Sequence, residues 1–367
     1  MRLRTVALAC AAVRVLTVLG NRPQSVKAAA VSRVLRARHE EVLVHTGQHF
    51  DDELSTIFER ELGVPKPEIQ LGLGGGTNTE QTARQIAALG PLVAEQRPDV
   101  VLVYGDTNST LTGGIVAAQA GIPVAHVEAG MRSWDWTMPE EQNRVLTDAL
   151  SDLLLVPSRT AQANLEREHP RGRIVYVGDV MVDVADLFRP KARENTAILE
   201  RYGLEPGAFV VCTTHRAANV DDPARLRQLV DLLLAVPYPV VLPLHPRTKA
   251  RLEANGWYDA LAAGVTLTPP MGYLDFTALL VHAYAVLTDS GGVQKEAFLA
   301  RTRCVTMRDT TEWVETVDSG WNVLVDLDRD AAVAALDRPL PTEHPQPYGD
   351  GRAAERVVDA LDELGAG

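Results

Sequence analysis

Six short, uniformly apolar segments recur through the first half of the chain, VRVLTVLG, EVLVHTG, DVVLVYGD, IPVAHVE, DLLLVPS and RIVYVGD, separated by longer stretches with helical periodicity. Strands that are apolar at every position are buried on both faces, and parallel neighbours must be joined by crossovers, usually helices. The first half therefore reads as a doubly wound α/β domain. After a polar stretch near Arg189 to Pro206 the pattern restarts with AFVVCTTH, YPVVLPLH, VTLTPP, YAVLTDSG and RCVTMRD. A length of 367 residues exceeds the ~250–300 at which a single core stops growing. The expected architecture is α/β, with two doubly wound, Rossmann-like domains facing a cleft. Residues 1–13 read as an extension, 14–187 as a first domain, 188–345 as a second, and 346–367 as a helical segment packing back toward the first. Its helix is expected over Tyr348 to Leu364, YGDGRAAERVVDALDEL.

The formal charge of −12 repels polyanions, so nucleic acid is not an expected partner, and a small anionic ligand needs a local positive pocket. Cys10, Cys212 and Cys304 lie far apart with no metal-ligand spacing. That usage points to a reducing, cytoplasmic compartment and to neither a disulfide framework nor a metal site. The N-terminal MRLRTVALACAAV faintly imitates a signal peptide. Its apolar run continues through Arg14 into the expected first strand, which a secreted chain would lose, so the first residues read as an extension instead. No stretch approaches the ~20 apolar residues that cross a bilayer.

In open α/β sheets, ligands bind beyond the carboxyl ends of the strands. The first strand leads into GNRPQSVK, where a glycine turn opens a helix carrying Arg22 and Lys27. Backbone N–H groups, a helix N-terminus and a guanidinium together suit a phosphate, although the same turn also serves as a plain strand-to-helix connection. The G-x-G-x-x-G fingerprint is absent there, so a tightly bound dinucleotide is not favoured. Asp106 follows the strand DVVLVYG and reads either as a site carboxylate or as a helix N-cap. Glu128 ends the strand IPVAHVE, where a charge without a partner would be costly to bury. Glu140 lies in PEEQNR and reads either as a third site carboxylate or as the i,i+4 partner of Arg144. Three converging carboxylates raise one another's pKa and permit a division of acid and base roles. In the second half, His215-Arg216 and His245-Pro246-Arg247 each follow a strand. In LTDSGGVQKEA, Ser290, Gly291 and Gly292 form a small-residue turn at a helix N-terminus suited to a diphosphate, and Glu296, one turn in, reads either as a carboxylate for ribose hydroxyls or as a solvated helix residue.

Together these motifs resemble the non-hydrolysing UDP-N-acetylglucosamine 2-epimerase family from about Val15 to Tyr348. G-x-R-P, TGQH, GDTNST, HVEAGxRS, PEExNR, VGD, THR, LTDSGGxQxEA, MRDTTE and PYGDG occur in the family's order. The resemblance implies a glycosyltransferase-B-type fold and a usual homodimer. It implies reversible C2 epimerisation of UDP-N-acetylglucosamine to UDP-N-acetylmannosamine, by elimination of UDP to a 2-acetamidoglycal and re-addition, with no cofactor and no metal. On matching positions, Arg22, His215, Ser290, Gly291 and Gly292 would hold the diphosphate, Glu296 the ribose, and Lys27 and Arg144 the sugar side. Asp106, Glu128 and Glu140 match the proposed acid/base carboxylates, and His215 a histidine that assists UDP departure.

Wording such as RPQSVKA, LPLHPRTK and TEWVE leans toward the branch acting on UDP-2,3-diacetamido-2,3-dideoxyglucuronate. A hydrolysing relative, a retaining glycosyltransferase of the same architecture and a non-catalytic sugar-nucleotide sensor are the rival readings. Two departures stand out. The family carries a Glu three residues after the His of THR, where this chain has Ala218. The segment GLGGGTNTEQ replaces the Arg-Gln stretch that, with the TGQH loop, forms a second, activating substrate site in common bacterial members, so that activation is expected to be lost.

Overall fold

The computed structural model describes residues 12–47, 63 and 65–365. Most of the expected N-terminal extension, and Gln48 and His49 of the TGQH loop, lie outside the described residues. The chain divides into two compact units, one formed by Met1–Val184 with Tyr348–Gly367 and the other by Ala185–Pro347.

The first unit holds a seven-stranded sheet. Its strands are β1 (Arg14–Leu19), β2 (Glu40–His45), β3 (Ile69–Gln70), β4 (Val100–Tyr104), β5 (Val124–Val127), β6 (Leu153–Val156) and β7 (Arg173–Tyr176). They run parallel in the order β3-β2-β1-β4-β5-β6-β7. The second unit holds β8 (Val210–Thr213), β9 (Val240–Pro243), β10 (Thr266–Thr268), β11 (Ala285–Thr288), β12 (Arg303–Thr306) and β13 (Asn322–Leu324), parallel in the order β10-β9-β8-β11-β12-β13. Both sheets are thus doubly wound, as their apolar runs predict.

The reason shows in the second unit. Val210, Cys212, Val240, Leu242, Ala285 and Leu287 belong to one core. The residues interleaved with them, Phe209, Val211, Val241 and Val286, belong to another. Successive side chains of a strand point to opposite faces, so covering both faces with helices demands apolar residues at every position.

The C-terminal helix begins at Ala353, not at Tyr348. Gly349 and Gly351 take φ of +97° and +77°, conformations that a helix excludes, and Tyr348 is buried as an anchor ahead of them. Val357, Val358 and Leu361 are fully buried. The helix packs on α1 (Arg22–Leu35), with ion pairs from Arg38 to Asp359 at 2.5 Å and from Arg173 to Glu363 at 2.5 Å. Asp183 accepts the first free amides, Ala353 N–H at 3.1 Å and Ala354 N–H at 2.9 Å. Burial nevertheless raises its pKa above the ordinary value. Removing that cap with Asp183→Ala is expected to cost about 1–2 kcal/mol, seen as a lower denaturation midpoint and earlier proteolysis of the C-terminal segment.

Candidate active site

In each sheet one pair of neighbouring strands marks the reversal of winding, and crevices form at that point beyond the carboxyl ends. In the first unit the pair is β1 and β4, followed by Gly20-Asn21-Arg22 and by Gly105-Asp106. Asn21 caps α1 in a box with Gln24. Gln24 is itself buried and donates to the Tyr104 carbonyl at 2.6 Å and to Thr110 Oγ1 at 2.8 Å. One amide thereby locks the two turns together. Arg22 sits exposed on the first turn of α1.

Asp106 and Glu128 come together because β4 and β5 are in register, with Tyr104 opposite Val127. Asp106 is not the N-cap of the helix Asn108–Gln119, since Thr107 fills that place. Asp106 pairs instead with Arg144, which is 4% exposed and also holds Glu141 at 2.8 Å. The i,i+4 pair of Glu140 with Arg144 does not form. Glu140 stands exposed on the first turn of the helix Pro139–Leu150, while Glu141 is fully buried. Glu141 also accepts from Ser133 N–H and hydroxyl, each at 2.9 Å, and from Trp134 N–H at 3.0 Å, which pins the loop ahead of the helix.

Glu128 has φ of +74°, a strained choice for a residue with a long side chain. Its carboxylate is 10% exposed and pairs with Lys27, so the buried charge has a partner after all. Gly105 makes room for that pair. At φ +63° a Cβ there would lie 3.2 Å from Glu128 Oε2 and 3.4 Å from Lys27 Nζ.

Beneath these carboxylates runs a buried chain of charge. His126 contacts Gly105 O and Asp148 Oδ1, each at 2.7 Å, and Asp148 accepts from Arg132 Nη1 at 2.8 Å and from Gly130 N–H at 3.0 Å. Arg132 continues to Glu168 through two hydrogen bonds of 2.8 and 2.6 Å. Burial works to raise the Asp148 pKa, but His126 and Arg132 outweigh it and hold the carboxyl below its usual range.

In the second unit the reversal falls at β8 and β11, followed by Thr214-His215-Arg216 and by Asp289-Ser290-Gly291. Asp289 is fully buried. It accepts from Thr214 Oγ1 at 3.0 Å, His215 N–H at 3.2 Å, Arg216 N–H at 3.1 Å and Asn219 Nδ2 at 3.3 Å, and so fixes one turn against the other. His215 remains exposed, its ring 5.7 Å from that of His245. His245 caps the helix Pro246–Ala254, and Arg247 pairs with Asp221. Ser290 stands at the N-cap of the helix Gly291–Ala300 without using its side chain to cap it. Gly291 admits the Glu312 carboxylate where a Cβ would stand, and Gly292 is exposed. Glu296 is half-buried and, after burial, is the next cause raising the Tyr273 pKa.

The family model described as UDP-N-acetylglucosamine 2-epimerase matches residues 33–362. The chain belongs to that family. It is 44% identical over 362 residues, 96% of this chain and 100% of the relative, to the UDP-2,3-diacetamido-2,3-dideoxy-D-glucuronate 2-epimerase of Pseudomonas aeruginosa. It is 37% identical over 356 residues to the UDP-N-acetylglucosamine 2-epimerase of Methanocaldococcus jannaschii, covering 94% of this chain and 97% of that one. The crystal structure of the Methanocaldococcus jannaschii UDP-GlcNAc 2-epimerase in complex with UDP-GlcNAc and UDP matches with a TM-score of 0.89 at 36% identity, over 95% of this chain and 99% of that one.

In this epimerase-family chain Arg22, Asp106, Glu128, His215 and Ser290 follow strand ends, and Lys27 stands on α1. The strand-end rule does not single out Gln24, His126, Asp148, Glu141 and Asp289, which tie the neighbouring turns and loops together. A signal existed for His126, the one polar residue inside the apolar strand VAHV. Among the described residues no group of side chains could hold a metal ion, and no helix is long and apolar enough to cross a membrane.

Proposed function

We propose that this protein inverts C2 of UDP-N-acetylglucosamine, giving UDP-N-acetylmannosamine, by eliminating and re-adding UDP. The supporting observation is that Asp106 and Glu128, each with its own cationic partner, emerge from adjoining strand ends in a chain matched to this family over residues 33–362. The C2 hydrogen has no neighbouring carbonyl to acidify it, so a base alone meets a very high barrier. If the C1–O bond breaks first, its electron pair leaves with UDP, and cationic character at C1 makes the C2 proton labile. A carboxylate takes that proton and a C1=C2 double bond forms, giving the 2-acetamidoglycal. Returning a proton to the opposite face of C2 while UDP oxygen rejoins C1 inverts the centre. The sequence is redox-neutral and calls for no redox cofactor.

In this reading Arg22, His215 and the Ser290, Gly291 and Gly292 turn stabilise charge growing on the leaving diphosphate, an interaction strongest in the transition state. Glu296 takes the ribose hydroxyls, Lys27 and Arg144 serve the sugar side, and Asp106, Glu128 and Glu140 share the acid and base roles. Asp289→Asn removes the anion that gathers the donors around His215. It is expected to weaken UDP binding about tenfold, measured by titration calorimetry against an unchanged circular dichroism spectrum.

The same chemistry on UDP-2,3-diacetamido-2,3-dideoxyglucuronate is the second reading, favoured by the full-length relative at 44% identity. The enzyme works in the cytoplasm as a homodimer, which fractionation and light scattering test. The deciding experiment incubates the protein with each UDP-sugar in D₂O and follows C2 by NMR. The proposal expects UDP-N-acetylmannosamine, with deuterium at C2 of both product and recovered substrate. An absence of exchange with both sugars defeats it.

A further inference from the structure

His126 lies within β5 and is fully buried, yet the reaction scheme gives it no part. One ring nitrogen meets the Gly105 carbonyl and the other meets Asp148, both at 2.7 Å. A carbonyl oxygen only accepts. Asp148 already takes hydrogens from Arg132 and Gly130. The ring nitrogen that meets the Gly105 carbonyl therefore donates.

The acceptors determine what the ring controls. Gly105 immediately precedes Asp106 and adopts a left-handed φ, and a Cβ there would stand 3.2 Å from the Glu128 carboxylate. Glu128 follows His126 by two residues on the same strand end. One imidazole thus sits in the strand that delivers one carboxylate and grips the turn that delivers the other. Asp148 holds the ring from behind, and the Arg132 pair with Glu168 closes the chain of contacts. A ring tied at both nitrogens has one orientation, and so does the turn it holds.

We propose that His126 is a positioning residue, which sets the geometry of Asp106 and Glu128 for proton transfer at C2 through the Gly105 carbonyl. The inference rests on the epimerase reading above. His126 touches no substrate in that scheme, so its loss falls on turnover and not on nucleotide affinity.

The test compares wild type, His126→Phe and His126→Gln in the D₂O assay. Phe keeps the volume and removes both polar ring contacts, while Gln can keep the one to the Gly105 carbonyl. His126→Phe is expected to bind UDP as the wild type does and to exchange the C2 hydrogen about 10²-fold more slowly, the scale of an ångström-sized misplacement. His126→Gln should recover roughly tenfold of that loss, one hydrogen bond's worth. Undiminished exchange in His126→Phe, or a Gln variant no better than Phe, overturns the proposal. If His126→Phe does not fold, ¹⁵N-histidine NMR of the wild type carries the test. The resonance missing from His126→Gln should show hydrogen on the ring nitrogen that faces Gly105, and a bare nitrogen there overturns it. A wild type that exchanges no deuterium refutes the epimerase reading first, and this role with it.

Discussion

Glu128→Gln should slow C2 hydrogen exchange by about 10²–10⁴-fold, the range that a positioned acid or base contributes. The substitution keeps the shape of the side chain and removes only its ability to carry a proton as a carboxylate. Glu128 is the side chain least replaceable by a neighbour, because its backbone is held at φ +74° and its carboxylate fills the space left by Gly105. The variant also leaves Lys27 beside a neutral amide in a nearly closed environment. Some loss of stability, about 1–3 kcal/mol, is therefore expected alongside the kinetic effect. The two separate cleanly. UDP titration reports the nucleotide grip, thermal unfolding the cost of unpairing Lys27, and deuterium incorporation the proton transfer. A Glu128→Gln protein that binds UDP and exchanges C2 hydrogen at the wild-type rate removes Glu128 from the chemistry.

The largest stability effect is expected from Asp148→Ala. The carboxylate is fully buried and is shared by His126, Arg132 and the Gly130 amide. Removing one member of a buried ion network strands its partners, at a cost of about 3–5 kcal/mol. For a unit of this size that corresponds to a fall in Tm of roughly 6–20 °C. Acid should narrow the difference. The folded-state pKa of Asp148 lies below its ordinary value, so its contribution is complete above about pH 3.9 and is lost as pH falls through the folded value. Wild-type and variant unfolding curves should therefore converge toward low pH. A variant whose Tm stays within a degree or two of wild type at neutral pH would contradict this account.

What the sequence discloses depends on how many neighbours decide a residue's role. A strand covered on both faces writes its burial into every position, so both sheets were legible from VVLVY or AVLT alone. Residues that follow strands were legible too, because the order of strands places them at a crevice whatever the details of packing. Glu140 and Glu141 were not separable in this way. Each lies at helical spacing from Arg144, and which one turns inward depends on the phase of the helix Pro139–Leu150 against the helix Asn108–Gln119 and β5, a tertiary matter. The cap at Thr107 escaped for a related reason. Asp and Thr are both good caps, and Asp106 was drawn off by a guanidinium nearly forty residues away in sequence. His126 carried a local signal, but its meaning lay in Asp148 and Gly105, which only the folded sheet brings to it.

The path of the chain through its two units has a consequence for how it is made. The first unit needs the segment from Tyr348 onward, yet Ala185–Pro347 is synthesised in between. At about 5–20 residues per second, on the order of ten seconds pass while α1 waits on the ribosome with its apolar flank uncovered. The second unit can condense during that pause, but the first closes only when the helix from Ala353 emerges. A nascent chain cut short before Tyr348 thus leaves the flank of α1 that this helix covers open to solvent.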